Sequence, residues 1–214
     1  MSDEIRTDTS PEAMIRAMED NTLDYWRLMA TSGMTWIEET DDLVTVGAVE
    51  KPSAFRDSVV RPRFSEIDAE ERIDTTLARL GWPGAGLIWW KLPSSTPNDM
   101  PERLLRRGLQ PRSEFPGMAI EIERLRRDEP RPGLEIEVVR DRERMIVASQ
   151  TMAAGFETPP PIQRIFHEMY CGVGFDNPRF RVYLGLPDGD AAGTTTLVTG
   201  GGVTIPQYGW NPAG

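Results

Sequence analysis

His167 and Cys171 are a pair of side chains whose types could do chemistry together. They stand four residues apart in a stretch whose apolar spacing predicts a helix, so their side chains can meet on one helix face. A histidine that takes the proton of a thiol makes a thiolate nucleophile. A cysteine buried beside a helix histidine is also ordinary packing, because cysteine is among the most buried residue types. We interpret both residues as parts of the core.

These two residues are the single histidine and the single cysteine among 214 residues. One cysteine cannot form a disulfide within the chain, and one histidine with one cysteine is too few for a Cys/His zinc site. The composition therefore predicts no metal cofactor, and it argues against a small secreted protein held by disulfides.

Three consecutive glycines, Gly200 to Gly202, follow a predicted strand and could be taken for a phosphate-binding loop. No lysine or predicted helix start follows them, and their spacing is not that of the known phosphate loops. We interpret them as a tight turn. Trp89 and Trp90 are adjacent in another predicted strand, so their rings point to opposite faces. One ring could line a ligand pocket between the two halves of the chain, although we favour core packing for both.

The net charge of -10 repels phosphate backbones, and the positive residues are scattered among acidic ones, so we expect no nucleic-acid partner. The composition, with 39% hydrophobic and 27% charged residues, is that of an ordinary globular protein. No apolar run approaches the roughly 20 residues of a membrane helix, and the acidic amino terminus is unlike a signal peptide. We expect a cytoplasmic protein with no membrane association.

Helices and strands mix along the chain in a pattern that predicts an α/β fold with a mixed sheet. Capping residues, periodic apolar positions and terminal glycines mark the helices, and alternation between turn residues marks the strands. The first part has predicted helices at 10–33, 67–81 and 99–107, a hairpin within 34–49, and strands at 87–90 and 118–123. The second part has strands at 134–138, 180–186 and 192–199 and helices at 141–155 and 161–172.

Two stretches have no helical or strand period. Residues 126–133 carry charges, two prolines and a glycine, which is typical of a linker. Residues 200–214 are rich in glycine and proline, and we expect no regular secondary structure there.

The second part resembles the amino-terminal half of the fold of GNAT acetyltransferases. Its order is strand, two helices and a hairpin that carries Tyr183-Leu184-Gly185 and then Asp188-Gly189. The first part is similar to the end of a degenerate GNAT-like domain in two-part members of that family. The segments that carry this similarity are 89–90, 95–97, 103–109 and 116–120, in that order. The resemblance covers about residues 55–203.

The resemblance implies transfer of an acetyl group from acetyl-CoA, the co-substrate, to an amine acceptor, either a small molecule or a peptide. It also implies a division of the chain. We expect a degenerate GNAT-like unit at 1–125, a linker at 126–133, the first part of a GNAT domain at 134–203 and an aperiodic tail at 204–214.

In this family, a fourth strand is followed by an Arg/Gln-x-x-Gly-x-Gly/Ala loop at a helix start, whose backbone N–H groups hold the pyrophosphate of acetyl-CoA. The sequence has no such loop. We expect the fourth strand to be missing as well, which would leave an open edge along 192–199. The expected protein is therefore a truncated family member with impaired or lost transfer, and we name no catalytic or coenzyme-binding residue. A non-catalytic small-ligand-binding module, an inactive remnant and an enzyme completed by a second polypeptide are the alternatives.

The loop between the two helices of the second part is where the family lines its acceptor cleft. Phe156 lies in that loop, so the resemblance makes it a substrate-binding candidate beside Trp89 and Trp90, although packing is the alternative that we favour. Glu157 is the nearest acid, and we interpret it as an ordinary exposed loop glutamate.

Overall fold

The computed structural model describes residues 7–50, 53, 55–84, 86–126, 129 and 131–210. Contacts divide the chain into two compact units. The middle unit is Thr35–Gly117, and the split unit joins Met1–Met34 to Met118–Gly214. In this division the first helix groups with the last strands. The predicted linker at 126–133 stays a prediction. No helix among the described residues is both long and apolar enough to span a bilayer.

The middle unit contains a four-stranded sheet. Its strands are β1 (Thr35–Glu39), β2 (Val44–Ala48), β3 (Asp57–Val59) and β4 (Leu87–Trp89). They lie in sequence order, with antiparallel pairs up to β3 and a parallel pair between β3 and β4. The helices are α2 (Ala69–Arg79) and α3 (Met100–Leu105). Every residue of β2 is buried, so this strand lies at the centre of the unit.

Helix α2 shows how local sequence sets an element of the middle unit. Glu70 and Glu71 lie in its first turn and Arg79 in its last, each at the helix end that favours its charge. Ile73 and Leu77 are one turn apart and both buried, which fixes the inner face. The predicted helix is confirmed. The predicted start at residue 67 is too early, because Ile67 precedes the helix and is 92% exposed.

The split unit is an antiparallel sheet covered by helices. Its strands are β5 (Leu134–Val138), β6 (Phe180–Pro187), β7 (Gly193–Gly200) and β8 (Val203–Trp210), in sequence order. Its helices are α1 (Pro11–Ala30), α4 (Arg142–Gly155) and α5 (Pro160–Val173). Both α1 and α4 contact β7 and β8, and α5 packs on α1 and α4.

The core of the split unit lies on one face of this sheet. Residues of β6 alternate between buried and half-buried positions, as expected for a strand with one covered face. Leu184 of β6 and Met169 of α5 are fully buried, and Met29 of α1 belongs to the same cluster. Helix α1 is therefore part of this core.

The predicted strand at 118–123 does not form. This stretch has no regular structure before a short 3-10 helix, Ile122–Arg124. Met118 and Ile122 are 86% and 75% exposed, and Ile120 is 55% exposed. Alternating apolar residues suit a strand, but a strand also needs a neighbouring backbone to bond. No strand pairs with this segment within the part of the chain that the structure describes.

The prediction of an aperiodic tail at 204–214, with no fourth strand, is wrong over Val203–Trp210. These residues pair with β7 from the turn outward, beginning with Val203 opposite Gly200 and ending with Trp210 opposite Gly193. Eight consecutive pairs order a segment whose own alternation is weak. The edge of β7 that was expected to be open is covered by β8; residues 211–214 lie outside the described residues.

Candidate functional site

The β7–β8 hairpin turns at Gly201 and Gly202, as the tight-turn interpretation predicted. Both residues have positive φ, 59° and 78°, which is the conformation of a two-residue turn between antiparallel strands. Gly200 and Val203 close this turn, so they form a hydrogen-bonded pair of the ladder. The next pair, Thr199 with Thr204, is a non-hydrogen-bonded pair of the ladder. The hydroxyl oxygens of these two side chains are 3.0 Å apart.

This alternation decides which backbone groups of β8 point away from β7. Counting from Val203, the outward residues are Thr204, Pro206, Tyr208 and Trp210. Proline has no N–H, and its place at an outward position costs no bond to β7. Among the described residues, β8 is the last strand of the sheet order, so its outer edge presents carbonyl oxygens and the N–H groups of Thr204, Tyr208 and Trp210. Such an edge can bind an extended ligand that carries amides.

The α4–α5 loop places Phe156 at the surface. Phe156 caps the carboxyl end of α4, and its N–H donates to the Met152 carbonyl at 3.0 Å. The side chain is 60% exposed, so the ring is available to a ligand rather than packed in the core. Glu157 follows with φ of 50° and an exposed side chain, which agrees with the ordinary loop interpretation. Contact of Phe156 with a substrate stays a prediction.

An open groove of about 310 Å³ lies between α4 and α5. Its lining residues are Ile146, Ser149, Pro160, Gln163, Arg164 and His167. The His167 Nδ1 atom is buried and has no hydrogen-bond partner among the described residues. The groove therefore combines apolar walls with polar groups that could bind a small ligand.

His167 and Cys171 meet as their spacing predicted, with 3.8 Å between Nε2 and Sγ. Burial raises the pKa of the Cys171 thiol and outweighs the opposing effect of Arg142. A thiol with a raised pKa is protonated at neutral pH and is a poor nucleophile. Cys171 is 9% exposed and belongs to the core cluster, which confirms its interpretation as a core residue.

Trp89 and Trp90 lie in the middle unit and differ in their surroundings. Trp89 packs against the core of that unit, with its ring centroid 6.4 Å from that of Phe64. Trp90 is 37% exposed, and its ring lies 6.3 Å from that of Phe115. Core packing is confirmed for Trp89 and wrong for Trp90, because Trp90 follows the last residue of β4 and turns toward the surface. Their contact with a substrate stays a prediction.

Two polar residues of α1, Asn21 and Asp24, were missed by sequence reasoning. They are 2% and 7% exposed, and both bond to the β7–β8 turn. In the sequence they are polar residues in an amphipathic helix, where such residues normally face water. The glycine triplet gave the one available signal, because glycine also marks places where another backbone approaches closely.

Within the described ranges, no three side chains of the His, Cys, Asp and Glu types come together as metal ligands.

The fold is similar to that of a solved structure, a GCN5-related N-acetyltransferase from Kribbella flavida. The TM-score is 0.62 at 17% sequence identity, and the likeness covers 91% of this chain and 73% of that one. No protein-family model and no curated protein sequence matches this chain. The chain thus has the fold of the GCN5-related N-acetyltransferases. An identity of 17% shows the fold and carries over no individual site residue.

Proposed function

We propose that this protein is an N-acetyltransferase that moves the acetyl group of acetyl-CoA to an amine acceptor. The observation that carries the proposal is the split unit itself, in which two helices follow β5 and the antiparallel strands β6, β7 and β8 complete the sheet. This is the element order that the resemblance to GNAT enzymes implied. The likeness to a GCN5-related N-acetyltransferase supports it.

We assign the outer edge of β8 to the pantetheine arm of acetyl-CoA. That arm is extended and carries two amides, each with one donor and one acceptor. The outward carbonyls of Thr204, Pro206 and Tyr208 and the outward N–H groups of Thr204 and Tyr208 can bond the donors and acceptors of an extended amide chain. Neighbouring helices hold β8 in place, which orders the edge before ligand binding.

The reaction that fits these residues is direct transfer. The neutral amine attacks the thioester carbonyl, the C–N bond forms, and the C–S bond breaks so that CoA leaves as a thiolate that takes up a proton. An acyl-enzyme route through Cys171 is disfavoured, because burial raises the pKa of its thiol. Only the neutral amine can attack, so the rate is expected to rise with pH through the pKa of the acceptor amine.

We place the amine acceptor, a small molecule or a peptide, near the α4–α5 loop. Phe156 exposes its ring there, and aromatic side chains are common in ligand-binding surfaces. In the middle unit, Trp89 and Trp90 remain proposed substrate contacts.

Acetyl-CoA is expected to bind weakly, and transfer to be impaired. The sequence has no Arg/Gln-x-x-Gly-x-Gly/Ala motif to hold the pyrophosphate, so the edge of β8 supplies the main contacts. A small-ligand-binding module without catalysis is the second candidate function. The groove between α4 and α5, with the unpartnered Nδ1 atom of His167, favours it. Thermal stabilisation by amines without an effect of acetyl-CoA would support this second candidate.

Isothermal titration of acetyl-CoA tests the first proposal. Thr204→Pro removes one outward N–H of β8, whereas the matched Thr204→Ala keeps it and loses the same hydroxyl. We expect Thr204→Pro to weaken binding roughly tenfold, which is about the value of one hydrogen bond, relative to Thr204→Ala. Equal affinities would contradict the assignment of the β8 edge, and no heat from the unmodified chain at millimolar acetyl-CoA would contradict the proposed function.

A further inference from the structure

We infer that Asn21 and Asp24 of α1 are positioning residues that stabilise the observed pairing of β8 and thereby the edge proposed for acetyl-CoA. The part about acetyl-CoA rests on the proposed function. The positioning of β8 itself rests on contacts within the split unit, which follow.

Asn21 bonds to both strands of the hairpin at once. Its Nδ2 donates to the carbonyl oxygens of Val198 and Gly200 in β7, at 3.1 and 3.0 Å, and to that of Val203 in β8, at 3.1 Å. The residue is 2% exposed, so no water competes for this amide. One side chain thus recognises a particular pairing of β7 with β8.

Asp24 holds the turn from the next helical turn of α1. Its Oδ2 accepts a hydrogen bond from the Gly201 N–H at 3.0 Å. The same oxygen lies 3.0 Å from Nη2 of Arg179, and Oδ1 lies 2.9 Å from Nη1 of Arg27. The carboxylate is 7% exposed and satisfied on both oxygens, which is the condition for a stable buried charge.

The close approach of α1 requires glycine in the turn. A Cβ on Gly201 would lie 2.8 Å from the Ala17 carbonyl oxygen and 2.9 Å from the Asn21 nitrogen, both backbone atoms. A Cβ on Gly200 would lie 2.6 Å from the Cβ of Asp24. The backbones of α1 and of the turn are therefore in direct contact. A side chain larger than that of glycine in the turn would move Asn21 away from its carbonyl acceptors.

A slip of β8 by one residue would exchange its inward and outward groups. The two-residue turn at Gly201 and Gly202 sets this register, because it places Val203 opposite Gly200. A slip would also move every side chain of β8 to the other face of the sheet, so apolar packing opposes it as well. By holding the turn, the polar contacts of α1 stabilise the pairing that gives β8 its observed outer edge.

Hydrogen exchange of the full chain, read by mass spectrometry, tests the inference. Asn21→Asp keeps the shape of the side chain and replaces its N–H donors by an oxygen atom. That oxygen would face the three carbonyl oxygens that Asn21 bonds, and it would repel them. We expect roughly 10- to 100-fold faster exchange in peptides of β8, with much smaller change in β6. The control is Thr22→Val, because the Thr22 hydroxyl bonds within its own helix, to Met18. It should leave β8 unchanged.

Asn21→Ala is the second variant, in case Asn21→Asp does not fold. It removes the hydrogen bonds to Val198, Gly200 and Val203 without placing an oxygen against their carbonyls, and it should also speed exchange in β8 more than in β6. Unchanged exchange in β8 in a folded variant, or equal acceleration in β6 and β8, would overturn the positioning role. The acetyl-CoA affinity of each variant should fall in the same order as the protection of β8. If the unmodified chain binds no acetyl-CoA, the proposed function fails, and the exchange data still decide the role of Asn21.

Discussion

Asp24 and Arg179 form an ion pair, 3.0 Å from Oδ2 to Nη2, between residues 155 positions apart in the chain. Arg179 stands directly before β6, and its Nε also donates to the Thr199 carbonyl at 3.0 Å. The side chains are 7% and 20% exposed. This pair joins α1 to two neighbouring strands of the split unit.

A double-mutant cycle should show that these two residues are coupled. Asp24→Asn and Arg179→Gln are each expected to destabilise the split unit, and the double variant should be less destabilised than the sum, with a coupling energy of about 1–3 kcal/mol. The free energy of unfolding of the split unit is measured by urea denaturation, with hydrogen exchange of peptides from β6 and β7 as the probe of unfolding. Additive effects would show that the two residues are not coupled and would contradict this prediction.

Gly201→Ala should destabilise the split unit more than Gly189→Ala. Both glycines have positive φ, so both variants are expected to cost about 1–2 kcal/mol in backbone strain. A Cβ at Gly201 would also meet backbone atoms of α1 within 3 Å, whereas nothing lies within 4 Å of a Cβ at Gly189. We expect a further 1–3 kcal/mol, roughly, for Gly201→Ala from this overpacking. Melting temperatures compare the two variants, and equal values would contradict the close approach of α1.

The middle unit should lose stability in acid through a cluster on α2 and α3. Hydrogen bonds from Arg107 lower the pKa of Asp74 and of Glu70 below their usual values. The folded state therefore binds fewer protons than the unfolded state, so this stabilisation is complete above the unfolded pKa values. It is lost as the pH falls below about 4, through the lowered pKa values of the folded state.

Arg107→Met tests this linkage. The variant should show a shallower loss of stability between about pH 5 and pH 2, because the two carboxyl groups then titrate nearer their unfolded values. Arg112→Met removes an exposed positive charge outside the cluster and should keep the original slope. Denaturant midpoints measured at each pH give the slope of stability against pH. Hydrogen exchange of α2 peptides is the probe of unfolding. The same slope in both variants would show that Arg107 does not set the acid response.

Cys171 should react slowly with iodoacetamide at neutral pH, and faster as the pH rises. Burial raises the pKa of its thiol, so little thiolate is present at pH 7. His167→Asn should leave this rate unchanged, because the histidine packs beside the thiol without activating it. The urea-unfolded chain gives the reference rate of an accessible thiol, and intact mass measures the modification. A clear drop in rate in His167→Asn would restore the thiolate hypothesis.

Local signals in the sequence were sufficient for elements that carry their own caps and turns. Helix α4 begins after Asp141, whose side chain accepts from the Arg144 N–H, and the β6–β7 hairpin turns at Asp188-Gly189 with positive φ at both residues. These interactions connect neighbours in sequence, so they can be predicted from the residue types alone. The similarity of the fold to GNAT enzymes could be predicted from the order of such elements.

The sequence could not show which segments would find a partner. Pro206 obscures the alternation of β8, and pairing with β7 orders this strand nevertheless. Residues 118–123 alternate clearly, and no strand pairs with them within the described ranges. For the candidate site residues, too, local features could be predicted and long-range contacts could not. The exposure of Phe156 agrees with its position in a loop, whereas the burial of Asn21 and Asp24 depends on a contact with residues far along the chain.

The distance between Asn21 and its acceptors also affects how the protein folds during synthesis. Asn21 bonds to carbonyls up to 182 positions later in the chain. Helix α1 leaves the ribosome long before β7 and β8 exist, while all of the middle unit is made in between. Its apolar face must stay uncovered during that interval, which is the period when newly made chains are most open to aggregation and to capture by chaperones. Closure of the split unit is therefore a late step, and it follows the release of the hairpin that α1 binds.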